Sequence, residues 1–110
     1  MQQDKGYLLD ILEAARLAVS YVAGKTLQDF LGDTQCQDAV VRRLEIIGET
    51  SNKLSRQTRK TFSDVPWKEM IGMRNFMIHD YPDVDLVVVW ETAHEDLPAL
   101  ISAIEHIASL

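Results

Sequence analysis

Residues 74–81 place an arginine, a histidine and a tyrosine within one short segment, as Arg74, His79 and Tyr81. Arginine stays protonated at physiological pH and binds phosphate oxygens through a planar fork. Histidine has an unperturbed pKa of about 6.5, so it can accept and donate a proton near neutrality. Cleavage of an RNA phosphodiester needs a group that moves the 2'-hydroxyl proton and a cation that neutralises the phosphorus oxygens. Arg74 and His79 are therefore candidate catalytic residues for this chemistry, and it requires no metal.

The spacing of the two residues does not place them on one face of a straight helix. Five positions separate Arg74 from His79, which corresponds to about 140° around the axis and about 7.5 Å along it. Either the helix unwinds before His79, or the two groups act across an interface between chains. Pro82 favours local unwinding, because a residue that precedes proline is pushed out of the helical region.

Length and composition indicate one globular domain covering residues 1–110. Apolar residues make up 46% of the chain and charged residues 25%, which is ordinary for a globular protein. No apolar run approaches the roughly 20 residues needed to span a bilayer, and the N-terminus lacks the layout of a signal peptide. Cys36 is the only cysteine, so no intramolecular disulfide can form. We expect a cytoplasmic protein without membrane contact.

Positive charge is concentrated in the middle of an acidic chain. The net charge is −6, but residues 42–74 hold eight basic and four acidic side chains, a local balance of +4. The remaining residues sum to −10, and no lysine or arginine follows Arg74. A basic strip of this kind can meet a phosphate backbone locally. A helix that merely carries solvated charges explains the same pattern, and charge alone leaves both interpretations open.

Helical periodicity dominates the N-terminal two thirds of the chain. Apolar residues recur at three- and four-residue intervals up to Gly24, which is placed to end the first helix. Thr26 or Asp29 can cap a short second helix. A long third helix is predicted from near Thr34 toward Thr61. Its apolar face would contain Val40, Leu44, Ile47, Ser51 and Leu54.

Prolines and aspartates divide the rest of the chain. Pro66 is placed in the first turn of a fourth helix, and Pro82 should end that segment. Asp83 or Asp85 can cap a fifth helix that reaches to about Leu110, with Pro98 kinking or interrupting it. The predicted fold is all-α, an antiparallel bundle of four to five helices with short connections.

The arrangement R-x4-H-x-Y, with Asn75 directly after the arginine, resembles the signature of HepT-like HEPN-domain ribonuclease toxins. Residues 7–15 resemble the first helix of that family, and residues 38–49 resemble its central helix. Residues 66–75 are similar to the approach to its active site, and residues 84–98 to its final helix. The blocks follow in the family's order over nearly the whole chain. The resemblance implies a HEPN-type helical bundle.

The resemblance also implies a symmetric homodimer that brings two R-x4-H segments into one cleft. His79 would transfer a proton at the 2'-hydroxyl or at the leaving oxygen, while Arg74 would neutralise the developing charge. Asn75 can orient the substrate or the histidine by hydrogen bonding, and Glu49 can support the Arg74 guanidinium. The expected product is a 2',3'-cyclic phosphate end, formed without metal or cofactor. Each residue taken singly also has a structural explanation, as a capping histidine, an ion-paired arginine or a packing tyrosine.

Tyr81 has a second role by resemblance. In HepT-like systems of type VII, the antitoxin partner is a minimal nucleotidyltransferase (MNT) that transfers AMP to the tyrosine of R-x4-H-x-Y. A bulky, anionic adenylate two residues from His79 would block the cleft and cancel its positive field. A buried tyrosine with a satisfied hydroxyl would instead be unreactive.

The leading interpretation is a metal-independent endoribonuclease toxin that is neutralised by AMP transfer to Tyr81. The alternative is a non-catalytic helical module that binds RNA or the partner protein, or that serves as an adaptor for a nucleotidyltransferase. The intact Arg74, His79 and Tyr81 favour the enzyme. The acidic net charge mildly favours the alternative.

Overall fold

The computed structural model describes residues 2–72 and 85–109, and every regular element in these two ranges is helical. The first range contains α1 (Gln2–Val22), α2 (Leu27–Leu31), α3 (Thr34–Lys53), α4 (Arg56–Thr61) and α5 (residues 67–72). The second contains α6 (Leu86–Glu91), a π-helical turn (Thr92–Asp96) and α7 (Leu97–Ala108). The predicted all-α bundle of HEPN type is confirmed. Within the same two ranges, no helix combines the length and the apolar character needed to cross a bilayer.

The core forms where α1 packs against α3 and against α7, around fully buried aliphatic side chains. On α1, the predicted apolar positions are buried except for Leu9, which is 48% exposed, and Val19, which is half-buried. All five residues predicted for the apolar face of α3 are buried. The Ser51 hydroxyl donates to the Ile47 carbonyl at 2.6 Å, so a polar side chain is satisfied inside the core.

The turn from α1 into α2 uses both of the predicted capping residues. Gly24 adopts a φ of +73°, which favours glycine because it has no Cβ. The Thr26 hydroxyl then accepts a hydrogen bond from the Asp29 N–H at 3.1 Å, and the Asp29 carboxylate accepts one from the Thr26 N–H at 3.0 Å. This reciprocal pair is a capping box.

The prediction of one long helix from Thr34 to Thr61 is wrong, because the chain breaks between Lys53 and Arg56. Leu54 has an extended backbone with a ψ of 145°, and its side chain is buried. Ser55 then starts a new helix, since its hydroxyl accepts a hydrogen bond from the Thr58 N–H at 3.2 Å. Burial of Leu54 and the cap at Ser55 together redirect the chain into α4.

The C-terminal helix begins at Asp85, whose carboxylate accepts hydrogen bonds from the N–H groups of Val87 and Val88. The predicted roles of Pro82 and Asp83 fall outside the described residues. The interruption predicted near Pro98 is confirmed and takes the form of the π-helical turn, in which the Leu97 N–H bonds the Thr92 carbonyl five residues back. Proline lacks an N–H and clashes with the preceding turn of a regular helix, and the wider turn accommodates it.

Candidate functional site

The residues that the sequence marks for catalysis lie between residues 73 and 84, outside the part of the chain that the structure describes. This applies to Arg74, Asn75, His79 and Tyr81. The structure describes the helix that leads directly to them, α5, together with the surfaces on either side of it. Arg74 follows the last described residue of α5 by two positions.

The start of α5 is fixed by buried side chains and by hydrogen bonds to the preceding turn. Val65, Trp67 and Met70 are all buried. The indole N–H of Trp67 donates to the Phe62 carbonyl at 3.0 Å, and the Met70 N–H donates to the Pro66 carbonyl at 3.0 Å. The R-x4-H-x-Y motif therefore follows an anchored helix in the chain.

The neighbouring helix α4 is held in place by Asp4, at the start of α1. The Asp4 carboxylate accepts hydrogen bonds from the Ser55 hydroxyl at 2.6 Å, the Thr58 hydroxyl at 2.5 Å and the Ser55 N–H at 3.1 Å. Asp4 is only 6% exposed. These hydrogen bonds, first from the Ser55 side chain and then from Thr58, hold the pKa of Asp4 below its ordinary value of 3.8.

Asp4 is not among the residues predicted from the sequence. No local pattern marks it, because its partners lie more than fifty positions away in the chain. The pattern Ser55-x-x-Thr58 did carry a signal, since a serine followed by helix-compatible residues is a common helix start. The prediction of one long helix from Thr34 to Thr61 does not include this helix start.

A groove of about 560 Å³ lies between the end of α3, α4 and α5. We call it the basic groove, because four of the side chains that line it are cationic. Its lining residues are Asn52, Arg56, Arg59, Lys60, Trp67, Lys68 and Ile71. All four cations belong to the basic strip found in the sequence. The fold therefore brings half of the eight basic residues of that strip to one place.

The cations of the basic groove form no ion pair with a described carboxylate, in contrast to three basic residues elsewhere in the fold. Within the described ranges, ion pairs join Arg16 to Glu105 at 2.5 Å, Lys25 to Asp33 at 3.6 Å, and Arg42 to Glu45 at 3.3 Å. None of the described carboxylates forms an ion pair with a cation of the basic groove. The groove thus presents positive charge that these carboxylates leave unneutralised.

Glu49 lies on α3, and its side chain is 34% exposed. Its carboxylate is 3.9 Å from the Arg42 guanidinium, at the long end of an ion pair, while Glu45 lies closer to the same group. The predicted contact between Glu49 and Arg74 involves a residue outside the described ranges, so it stays a prediction.

The opposite side of α5 carries negative charge. A second groove of about 600 Å³ runs between the start of α5 and the C-terminal helix. Its acidic residues are Asp64, Glu69, Glu95 and Asp96, and its apolar floor includes Met70, Leu97 and Leu100. The helix that precedes the R-x4-H-x-Y motif therefore separates a basic groove from an acidic one. Among the described residues, no group of three or more histidine, cysteine, aspartate or glutamate side chains is arranged to hold a metal ion.

Comparisons with known proteins point to one family. The family model "Ribonuclease HepT-like" matches residues 11–107. "Putative RNase MJ1380" of Methanocaldococcus jannaschii is 38% identical over 101 residues, which cover 92% of this chain and 93% of that protein. "Probable ribonuclease HepT" of Thermococcus cleftensis is 43% identical over 96 residues, 87% of each chain. "Putative RNase TTE0752" of Caldanaerobacter subterraneus is 37% identical over 107 residues, 97% of this chain and 96% of that protein. No solved structure matches the chain significantly.

Proposed function

Because the chain belongs to the HepT-like ribonuclease family, we propose that it is a metal-independent endoribonuclease in which Arg74 and His79 carry out the cleavage. One observation carries this proposal. The family match runs through residues 11–107 and so spans the whole R-x4-H-x-Y motif, which is unbroken in this sequence. The relatives named as ribonucleases align with nearly the full length of the chain.

In the proposed reaction, the ribose 2'-oxygen attacks the adjacent phosphorus and the bond from phosphorus to the 5'-oxygen breaks. The products are a 2',3'-cyclic phosphate and a 5'-hydroxyl end. His79 moves the proton that leaves the 2'-hydroxyl or the proton that the 5'-oxygen receives. Arg74 neutralises the charge that builds on the nonbridging oxygens, and Asn75 orients the substrate or His79. Glu49 supports the Arg74 guanidinium.

We place the reaction in a cleft between two copies of the chain. Two observations support this assembly. Arg74 and His79 are spaced so that they do not share a face of a straight helix. In addition, Val87 and Val88 are 39% and 44% exposed, and they follow the motif closely in the chain. A two-fold contact through exposed apolar residues near the motif would bring both copies of Arg74 and His79 together.

The proposed regulation is AMP transfer to Tyr81 by a minimal nucleotidyltransferase that acts as the antitoxin. The phenol oxygen of Tyr81 attacks the α-phosphorus of ATP, pyrophosphate leaves, and the phenolic proton is released. The added group is bulky and anionic, and it lies two residues from His79. It would therefore exclude RNA sterically and offset the positive charge of Arg74.

The direct test of this chemistry is a DNA oligonucleotide that contains a single ribonucleotide, incubated in EDTA with protein that carries no AMP on Tyr81. Attack by the 2'-oxygen requires cleavage only on the 3' side of that ribonucleotide, because DNA lacks the 2'-hydroxyl. An all-DNA oligonucleotide of the same sequence is the control. Cleavage at deoxynucleotides, or cleavage that needs a divalent ion, would overturn the proposed mechanism.

A further inference from the structure

We propose that the basic groove is a binding track for the phosphodiester backbone of single-stranded nucleic acid. It would hold the RNA beside the catalytic motif without taking part in bond cleavage. The biological role of this track, which is to hold RNA for cleavage, rests on the proposed ribonuclease function. Binding to the groove can nevertheless be measured without any cleavage, so the two proposals can fail separately.

The arrangement of the cations supports a track along the groove. Arg59 and Lys60 follow Arg56 by three and four positions on α4, which places the Cβ atom of each about 5–6 Å from that of Arg56. Lys68 lines the same groove from α5. Positive side chains on both walls can contact successive phosphates of a strand that lies between them.

The cations are available to a ligand. Arg56, Lys60 and Lys68 are exposed, and no described carboxylate pairs with them. Arg59 is half-buried, and its Nε atom is enclosed without a hydrogen-bond partner in the described part of the chain. The stem of Arg59 is therefore held by packing, which reduces the entropy that the side chain loses when it binds a phosphate.

The lining of the groove indicates recognition of the backbone and not of the bases. Trp67 is its aromatic residue, but Trp67 is only 6% exposed and its indole N–H is bonded to the Phe62 carbonyl. It forms part of the wall and does not offer a free ring face on which a base could stack. Contacts to phosphate carry no sequence information. RNA and DNA single strands should therefore bind the groove with similar affinity and with little sequence preference.

The position of the groove indicates on which side of α5 a nucleic-acid strand would lie. Ile71, on the groove wall, precedes Arg74 by three positions, and α5 is continuous from the groove to the edge of the described range. The acidic groove on the other side of α5, with Asp64 and Glu69, would repel a phosphate backbone. A strand that approaches α5 is thus favoured on one side only, and that side carries the four cations.

The test compares a groove variant, Arg56→Gln/Lys60→Gln, with a control variant, Arg16→Gln/Lys25→Gln. Both variants lose two positive charges, and the control positions lie outside the groove. Fluorescence anisotropy measures the affinity of each protein, with His79→Ala added so that RNA is not cut, for labelled oligouridylate and oligodeoxythymidylate of about twelve nucleotides. The groove variant should bind both strands roughly tenfold more weakly. The slope of log affinity against log salt concentration is negative, and its magnitude should decrease by about 1.4, because each phosphate contact contributes about 0.7 for a single strand. The control variant should match the wild type.

Cleavage measurements on RNA strands of two lengths distinguish strand binding by the groove from participation in bond cleavage. In the groove variant, KM should rise more for a twelve-nucleotide RNA than for a trinucleotide RNA, because the shorter strand reaches fewer of the groove cations. Equal loss on both substrates would overturn the proposal, because it would place the two cations in the reaction itself. Unchanged affinity and salt slope in the groove variant, or an equal loss in the control variant, would also overturn it. If the double variant does not fold, Lys68→Gln on the opposite wall is compared with Lys25→Gln, and the salt slope should decrease in magnitude by about 0.7 for the single lost contact. RNA strands that bind the groove but are not cut by protein with His79 intact and no AMP on Tyr81 would leave this inference standing and remove the proposed ribonuclease function.

Discussion

The Asp4 carboxylate accepts a 2.5 Å hydrogen bond from the Thr58 hydroxyl, and this contact joins the first turn of α1 to α4 across 54 positions of the chain. The same carboxylate receives the hydroxyl of Ser55, the capping residue of α4. A helix of six residues has little stability of its own, so its position depends on such contacts. Asp4 thereby holds the helix that presents Arg56, Arg59 and Lys60 to the basic groove.

Replacing Asp4 with asparagine should lower the free energy of unfolding by about 1–3 kcal/mol, because two short hydrogen bonds to a buried carboxylate lose their charged acceptor. Asp10→Asn, an exposed position on the same helix, is the matched control and should change stability by less than about 0.5 kcal/mol. Urea denaturation measures both variants. Equal stability of the two variants would show that the Asp4 contacts contribute nothing.

The same contact predicts a pH dependence. The pKa of folded Asp4 lies below the ordinary value of 3.8, so its contribution is complete above that value and is lost as the pH falls through the folded pKa. The difference in stability between wild type and Asp4→Asn should therefore be largest near neutral pH and should shrink below about pH 4. Thermal unfolding at a series of pH values tests this, and a difference that grows on acidification would contradict it.

Trp67→Phe should lower activity more than stability alone explains. The change removes the hydrogen bond from the indole to the Phe62 carbonyl and loosens the start of α5, which leads to the catalytic motif. The cost in stability should be about 1 kcal/mol. Ile104→Val, in the core of α7, has a similar expected cost of about 0.5–1.5 kcal/mol and is remote in sequence from the motif. Because the two variants should lose similar stability, comparison of their kcat values separates the effect of α5 anchoring on catalysis from the effect of stability. Equal kcat values would show that α5 anchoring has no role in catalysis.

Val88→Glu should weaken the proposed dimer by more than about tenfold, because it places a charge in an apolar contact. Val88 is exposed on α6, so the variant should fold normally. Leu9→Glu changes an apolar residue of similar exposure on α1 and serves as the control. Sedimentation equilibrium gives the dimer dissociation constants. If the Val88→Glu protein dimerises as tightly as the wild type, α6 does not form the dimer interface.

Tyr81→Phe should abolish AMP incorporation while RNA cleavage is retained. The phenol oxygen is the proposed acceptor, and phenylalanine keeps the ring but lacks that oxygen. Transfer of label from radioactive ATP by a minimal nucleotidyltransferase measures the effect. Tyr7 and Tyr21 remain in the variant as internal controls. Undiminished labelling of Tyr81→Phe would assign the modification to another residue.

Much of the fold was predictable because local signals agreed with tertiary packing. Gly24, Thr26 and Asp85 marked turns and caps correctly, and the spacing of Val40, Leu44 and Ile47 identified the buried face of α3. These signals depend on residues within one or two turns of helix, so they can be recognised from the local sequence.

The errors arose where distant residues decide the local structure. The break at Leu54 depends on burial of that side chain and on Asp4, which lies fifty positions earlier in the chain. Leu9 fits the apolar period of α1 but is 48% exposed, because a sequence period does not show where the other helices pack. For the candidate site, the sequence predicted a basic strip, but only the packing of α4 beside α5 shows which of its members form a groove. The predicted roles of Arg74, Asn75, His79, Tyr81 and Glu49 rest on sequence and family.

The most direct test of the central claim compares wild type with His79→Ala, both free of AMP on Tyr81, on a mixed RNA pool in EDTA. Sequencing of the RNA ends identifies the products. If His79 transfers the proton, wild type should generate 2',3'-cyclic phosphate ends, and the variant should lose about 10²-fold or more of this activity. Cleavage by His79→Ala at the wild-type rate, with contaminating nucleases excluded, would contradict the account.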